Sequence, residues 1–335
     1  MKRHVITVLG FLITGFALWW AFRGIHYREV VDILGDVRYI WAAPIFGATL
    51  LSIWIRAYRW KVMLEPMVDV PLSKAYSSTM IGFMANNILP MRLGEVVRAY
   101  ALGRSVGVSK SAAFATIVVE RAFDLVALLL FLGVLLLRYS FDARFKTLGY
   151  IALMGCVVMF LVMALAQWKR DLVRRLFSFC IRVFPGGIRH KLDDLFEKFL
   201  DGFEVLSRGH HVLKVMWLSI LVWLSMAMSF FFANLTFGLD LPIISSLVMT
   251  VVCALGVMVP SGPGFVGTFE VAAKYGLMLF KTPDRIPLVS EEVAISYAIF
   301  YHAIQFVPLT LLGFYHLWRE KFSLTSAVEG DGDSE

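Results

Sequence analysis

Two long apolar stretches are each broken in the middle, and the breaks constrain the fold more than any other feature. One is 75–103, AYSSTMIGFMANNILPMRLGEVVRAYALG; the other is 243–280, IISSLVMTVVCALGVMVPSGPGFVGTFEVAAKYGLMLF. Each is apolar enough to enter a bilayer, and each is interrupted by Pro, Gly or Asn and then carries charge. Broken backbone at membrane depth leaves N–H and C=O groups without partners, and it survives only where it is buried in protein or lines a wet cavity. Both stretches are therefore expected to be re-entrant helical hairpins, each entering and leaving by the same face.

The membrane setting follows from composition. Of 335 residues, 59% are hydrophobic and only 17% charged, against about 25% charged in an average soluble domain. Such a chain cannot cover a water-facing surface. A spanning helix needs about 20 mostly apolar residues, and six segments qualify, at roughly 5–22, 40–60, 113–137, 147–167, 213–237 and 293–318. The first has the basic start of a signal peptide but no A-x-A-like cleavage site, so an uncleaved span is expected. The predicted fold class is all-α: a polytopic integral membrane protein with about six full spans and two oppositely oriented re-entrant hairpins.

Sidedness follows from Lys and Arg. With the N-terminus cytoplasmic, twenty-two lie on inside segments and nine outside, and Arg121 falls within a span. The asymmetry favours both termini in the cytoplasm of a multi-pass protein of the cell (inner or plasma) membrane. It also accounts for the net charge of +7 without nucleic acid as a partner. In this topology three spans enclose each hairpin. The second half then inverts the first, the layout of many transporters. The tips share a pattern, with Pro90, Gly94 and Glu95 answering Pro263, Gly267 and Glu270. Residues 1–320 form one transmembrane domain. Within it, 168–211 is a cytoplasmic segment with two amphipathic stripes, lying in the membrane interface or packed on the protein itself. An acidic tail, 321–335, is expected to be disordered.

Gly262, Gly264 and Gly267 in VPSGPGFVGTFE spell G-x-G-x-x-G, the spacing that cradles a dinucleotide. That pattern has meaning only between a strand and a helix of a βαβ unit, and here it follows an uninterrupted apolar run. The glycines, with Ser261, instead break a helix inside the bilayer. The next helix would point its N-terminus into the protein, where unpartnered N–H groups and the dipole attract an anion such as a lipid phosphate.

Charges inside a membrane cost about 2.5–3.5 kcal/mol each on insertion scales, so each needs a reason. Span three carries Glu120, Arg121 and Asp124 at helical spacing. They read either as an ion pair locking this span to its neighbours or as a direct part of transport. The first hairpin adds Asn86, Asn87, Arg92, Glu95 and Arg98. The arginines offer planar forks suited to phosphate, or simply snorkel, and the asparagines can satisfy broken backbone. Glu270 precedes Lys274 by one turn, which allows an exposed pair. His302 carries protons or sits hydrogen-bonded in the core. No metal site or disulfide framework is expected from the three cysteines and seven histidines, and no cofactor or catalytic residue is assigned.

NNILPMRLGEVVRAYALGR, the ERAFD run and VPSGPGFVGTFE together resemble the transmembrane region of the lysylphosphatidylglycerol synthase family. The resemblance covers roughly 5–320. It implies a flippase-like domain that moves a phospholipid, or a polyprenyl-linked or hopanoid-type lipid, between leaflets. The soluble aminoacyl-transferase domain of the complete synthase is not expected, because only a short tail follows span six. On this reading the headgroup enters between the hairpins. Its phosphate meets Arg92, Arg98 and the helix start near Gly264 and Gly267, while Glu95, Glu120, Asp124 and Glu270 balance charge or couple protons. The expected partners are membrane lipids with an anionic headgroup, together with lipid-synthesis enzymes. An intramembrane lipid-modifying transferase and a non-transporting scaffold of a lipid-synthesis complex are the alternatives.

Overall fold

The computed structural model describes residues 2–89, 92–138, 209–259, 261–282, 284 and 286–321, with isolated positions between 146 and 196. The expected fourth span, the segment 168–211, the acidic tail and Pro90 of the first tip lie wholly or largely outside the described residues.

Ten α-helices carry the described chain: α1 (Lys2–Phe22), α2 (Tyr27–Asp36), α3 (Ala42–Leu64), α4 (Leu72–Ile88), α5 (Gly94–Val106), α6 (Lys110–Arg138), α7 (Gly209–Thr236), α8 (Ile244–Gly256), α9 (Thr268–Leu277) and α10 (Glu291–Arg319). Single 3-10 turns at Tyr39–Trp41 and Pro263–Phe265 join them. Among the described residues, extended pairing is limited to one isolated bridge, Lys281 with Pro287. Among the described residues, three helical stretches are long and apolar enough to cross a bilayer, Tyr39–Leu64, His211–Thr236 and Glu291–Arg319. The 29-residue α6 has the length but carries Glu120, Arg121 and Asp124 within its apolar run.

Each broken stretch forms a pair of helices. The first divides between Ile88 and Gly94 into α4 and α5, and the second divides after Gly256 into α8 and α9. The partners of each pair pack on one another, and α4 also packs along α10. The longest helix contact is between α3 and α7. In α10 the start is fixed locally, because Ser290 accepts from the Val293 N–H while Glu291 and Glu292 face the positive dipole end. His316 and Arg319 occupy its last turn, where cations are favoured. The short α2, which the sequence left within an outside loop, buries Val30 against Ala21 and Ile295.

Water does not drive helices together inside a bilayer, so packing and buried polar pairs must hold the bundle. The main core joins Ile45 of α3, Phe230 of α7, Met249 of α8, Phe269 of α9 and Tyr297 and Tyr301 of α10. Within it Tyr297 donates to the Phe230 carbonyl and to Asn234, and Asn234 donates to Ser245. A second core joins Ile55 and Val62 of α3, Phe123 of α6 and Val222 of α7. Large apolar side chains such as Phe16, Trp19, Leu137, Leu311 and Trp318 face outward, as a surface bathed in lipid requires.

Candidate functional site

The turn between α8 and α9 combines local backbone bonds, such as Phe265 N–H to the Gly262 carbonyl at 3.3 Å, with bonds to side chains of α1, α9 and α10. Gly264 and Gly267 have φ of 66° and 88°, conformations that a side chain disfavours. Phe265 between them also has a positive φ, 60°. Several of the backbone groups freed by the break find partners. The Gly262 N–H donates to Thr14 Oγ1 of α1 at 2.7 Å. The Gly267 N–H donates to Glu270 Oε2 at 2.6 Å. The Gly264 carbonyl lies 2.9 Å from His302 Nε2, and Ser261 accepts from Thr268 at 3.3 Å. The helix start expected to face a lipid phosphate is thus capped by the chain's own carboxylate.

The turn between α4 and α5 reaches the same place. The Gly94 N–H donates to Asn86 Oδ1 at 2.9 Å. Asn87 donates to the Phe306 carbonyl at 3.3 Å and to Thr310 at 2.8 Å, which ties the end of α4 to α10. Arg92 has a φ of 55°. Its Nη2 donates to the Val257 carbonyl at 2.6 Å, and its guanidinium sits 5.1 Å from the centre of the Phe265 ring. The two turns therefore touch.

A second constellation is centred on α6. Glu120 and Asp124 of α6 are buried, at 0% and 4% exposure, and they gather four arginines from three helices. Glu120 Oε1 is 3.1 Å from Arg59, 3.1 Å from Arg98 and 2.5 Å from Arg121. Asp124 is 3.2 Å from Arg56, 2.7 Å from Arg59 and 3.3 Å from Arg121, and it accepts from Trp223. Glu95 stands 3.7 Å from Arg121. Arg98 lies over Trp60 and Arg56 over Trp223. Four guanidinium groups thus meet three carboxylates, and the cluster ties α6 to α3, α5 and α7. Arg59 Nε, Arg98 Nε and Nη2, and Glu120 Oε2 are buried without a hydrogen-bond partner in the protein.

Between the two constellations is a cavity of about 190 Å³. Thr49, Ser52 and Arg56 of α3, Asn87 of α4, Trp223 and Phe230 of α7, and Thr250 and Cys253 of α8 form part of its wall. Gly264, Phe265, Phe269, Tyr301, His302, Gln305 and Phe306 complete it from the second turn, α9 and α10. Its lining is largely apolar, with several aromatic rings, and includes the Arg56 guanidinium and the His302 imidazole.

Of the residues expected from sequence, Asn87, Gly264 and His302 line this cavity. Arg92, Ser261, Gly262, Gly267 and Glu270 stand in the turns behind it. Glu95, Arg98, Glu120, Arg121 and Asp124 belong to the charge cluster, and Asn86 closes the first turn. Lys274 does not pair with Glu270. It is buried, donates to the Ala21 carbonyl at 3.1 Å and pairs with Glu291 at 2.6 Å. Arg56, Arg59 and Trp223 were not anticipated as site residues. Their signal was available, since Arg56 and Arg59 are three apart on one helix face, as Glu120 and Asp124 are four apart.

The family model for the lysylphosphatidylglycerol synthase TM region matches residues 7–313. A UPF0104 membrane protein of Pyrococcus horikoshii, PH1989, is 22% identical over 93% of this chain and 96% of its own. A UPF0104 membrane protein of Methanothermobacter thermautotrophicus is 24% identical over 72% of this chain and 76% of its own. The Glycosyltransferase AglD of Haloferax volcanii is 23% identical over 98% of this chain, which spans 57% of that longer protein.

Proposed function

We propose, from the premise that the chain belongs to the lysylphosphatidylglycerol synthase TM region family, that this multi-pass membrane protein is a lipid flippase or transporter. Its substrate is an amphipathic lipid, either a phospholipid or a polyprenyl-linked or hopanoid-type lipid. The headgroup is received in the central cavity and the tails stay in the bilayer. The name of the AglD relative adds sugar-bearing lipids to the classes to be tested.

The observation that carries this reading is the meeting of the two broken helix pairs over one cavity. Arg92 of the first turn reaches Val257 and Phe265 of the second, and Asn87, Gly264 and His302 share the wall beside them. Irregular backbone placed at a cavity between two halves is how carriers build a midplane site. On this reading α4–α5 and α8–α9 are re-entrant hairpins from opposite leaflets, with both termini in the cytoplasm and the protein in the cell membrane. An aromatic wall suits the glycerol or isoprenoid neck of a lipid, and Arg56 offers a fork for its phosphate.

Reconstitution into vesicles tests it. Fluorescent phospholipid, polyprenyl phosphate and glycolipid probes are placed in one leaflet, and loss of surface-quenchable signal is followed. At least one probe class should equilibrate faster than in protein-free vesicles. An unchanged leaflet distribution for all of them would remove the reading.

A further inference from the structure

His302 has both ring nitrogens engaged. Nε2 is 2.9 Å from the Gly264 carbonyl oxygen, and Nδ1 is 2.5 Å from Glu270 Oε1. A carbonyl oxygen only accepts, so Nε2 carries a hydrogen. The contact between Nδ1 and Oε1 is a hydrogen bond only if a proton lies between them. Either the imidazolium donates to a carboxylate, or a carboxylic acid donates to the neutral ring. Both descriptions hold one proton more than a neutral imidazole beside an ionised carboxylate. The other carboxyl oxygen, Oε2, is already accepting from the Gly267 N–H, which places the extra proton between Oε1 and Nδ1.

The surroundings make that proton consequential. Glu270 is 6% exposed, and among the described residues its ion pairing is confined to His302. Several charged or titratable groups face the pair. Lys274, one turn along α9, is matched by Glu291. Cys253 on α8 is a buried free thiol, and Tyr301 on α10 is bonded to Ser229 of α7. Arg56 of α3 shares the cavity wall with His302, and Arg92 of the α4–α5 turn lies over the Phe265 ring. Residues 12–22 of α1, which packs on α9, carry no charge.

Loss of the proton leaves a neutral ring with a single N–H, which can serve Glu270 or the Gly264 carbonyl but not both. One of the two contacts is then a pair of acceptors that cannot stay at hydrogen-bond distance, while Glu270 still caps Gly267. Either loss loosens the Pro263–Phe265 turn from the start of α9, at the wall of the cavity. We propose that the chain is a proton-coupled carrier, in which the His302–Glu270 pair exchanges one proton with the cavity in each transport cycle. On release the proton passes to cavity water or to a substrate phosphate oxygen. The pair is left as a neutral ring and an ionised Glu270. This inference rests on the lipid-transport reading above.

The test uses the full chain in vesicles of phosphatidylcholine and phosphatidylglycerol, with phosphatidylglycerol and polyprenyl phosphate probes. Probe movement is followed across about pH 5–8, the range where histidine titrates, with and without a pH gradient. Infrared difference spectra of the same membranes read the pair directly. In the wild type a carboxyl or imidazole band should change when the pair gains or loses its proton. Probe movement should follow it, by up to about tenfold per pH unit, and respond to the gradient. Glu270→Gln is the decisive variant. Its amide N–H donates to Nδ1 and its carbonyl oxygen accepts from Gly267, so the turn stays bonded without an exchangeable proton. The titrating band should vanish, and any remaining movement should ignore pH and gradient.

The proposal is overturned if no band of the pair titrates, or if Glu270→Gln keeps the wild-type response. Wild-type movement indifferent to pH and gradient removes the coupling and leaves lipid transport standing. A pair that titrates in membranes that move neither probe removes transport, and the coupling falls with it.

Discussion

The guanidinium of Arg92 lies 5.1 Å from the centre of the Phe265 ring, and both residues have a positive φ, 55° and 60°. Each is the residue that its turn forces out of the common backbone regions, and each is then stacked on the other. A left-handed backbone costs a non-glycine residue roughly 1–2 kcal/mol, so the contact between the turns is one of the interactions that offset local strain. If the turns meet as described, the two side chains are energetically coupled. A double-mutant cycle of Arg92→Ala and Phe265→Ala in unfolding measurements should give a coupling of about 0.5–2 kcal/mol. Strict additivity would mean that the turns do not touch.

The charge cluster makes a different demand. Asp124 is shared by Arg56, Arg59 and Arg121 in a buried setting. Asp124→Asn keeps the shape but leaves those cations with one carboxylate fewer, and removal of one partner of a buried pair costs about 3–5 kcal/mol. Adding Arg59→Met to that variant should restore part of the loss, because it removes the cation most closely paired to Asp124. Folded yield and unfolding in detergent provide the readout. A neutral effect of Asp124→Asn alone would contradict the described burial.

How much of this was legible follows from the range of each interaction. The breaks in both apolar stretches could be placed because Asn, Pro and Gly within an apolar run are local signals. The helix ends fall at Ile88 and Gly94, and at Gly256 and Thr268, within the stretches read from sequence. Pairing across the chain was not local. Arg56 and Arg59 lie in IWIRAYRWK, which reads as the basic flank of a span, yet Arg59 ends fully buried against residues more than 60 positions away. His302 and Glu270 were each singled out, but nothing in their spacing joins them. Lys274, one turn from Glu270, takes Glu291 instead, because α10 begins beside it.

Gly267 tests the second turn. Its φ is 88°, and an added Cβ would stand 2.8 Å from the Thr14 carbonyl oxygen and 3.0 Å from Ala17 Cβ. Gly267→Ala combines backbone strain of roughly 1–2 kcal/mol with a backbone clash against α1. A stability loss of about 2 kcal/mol or more is expected, read by thermal unfolding in micelles. An alanine variant as stable as the wild type would show that α1 does not lie against this turn.

The Lys74–Glu320 pair joins the start of α4 to the end of α10 at 2.7 Å. Burial alone would push the Glu320 carboxyl up, but the hydrogen bond and charge of Lys74 outweigh it and hold the group below its ordinary 4.5. A carboxylate depressed in the folded state adds stability above its unfolded value and loses that contribution as pH falls through the folded one. Because the pair is partly exposed, solvent screening limits the effect to about 1 kcal/mol or less. Stability of the wild type and of Lys74→Met should therefore converge as pH falls below 4.5 and separate above it. A constant difference down to the acid limit would assign Lys74 a packing role only.

The cavity itself is tested by filling it. Met226 lines the space of about 190 Å³ and belongs to none of the buried apolar clusters around it. In a close-packed interior, forcing in a larger side chain typically costs about 1–3 kcal/mol, and the cost falls where open space receives the added atoms. Met226→Trp should therefore change stability by less than about 1 kcal/mol, because the indole occupies space that is already open. The same variant should slow lipid movement at least about tenfold if the headgroup must enter there, since a factor of ten needs only about 1.4 kcal/mol at the barrier. The pair of readouts separates three accounts of the cavity. Lost stability together with lost movement means that the space is too small to work in. Retained stability with unchanged movement places the lipid path elsewhere, along the outer faces of the helices. Only intact folding with blocked movement assigns the path to the chamber between Arg56 and His302.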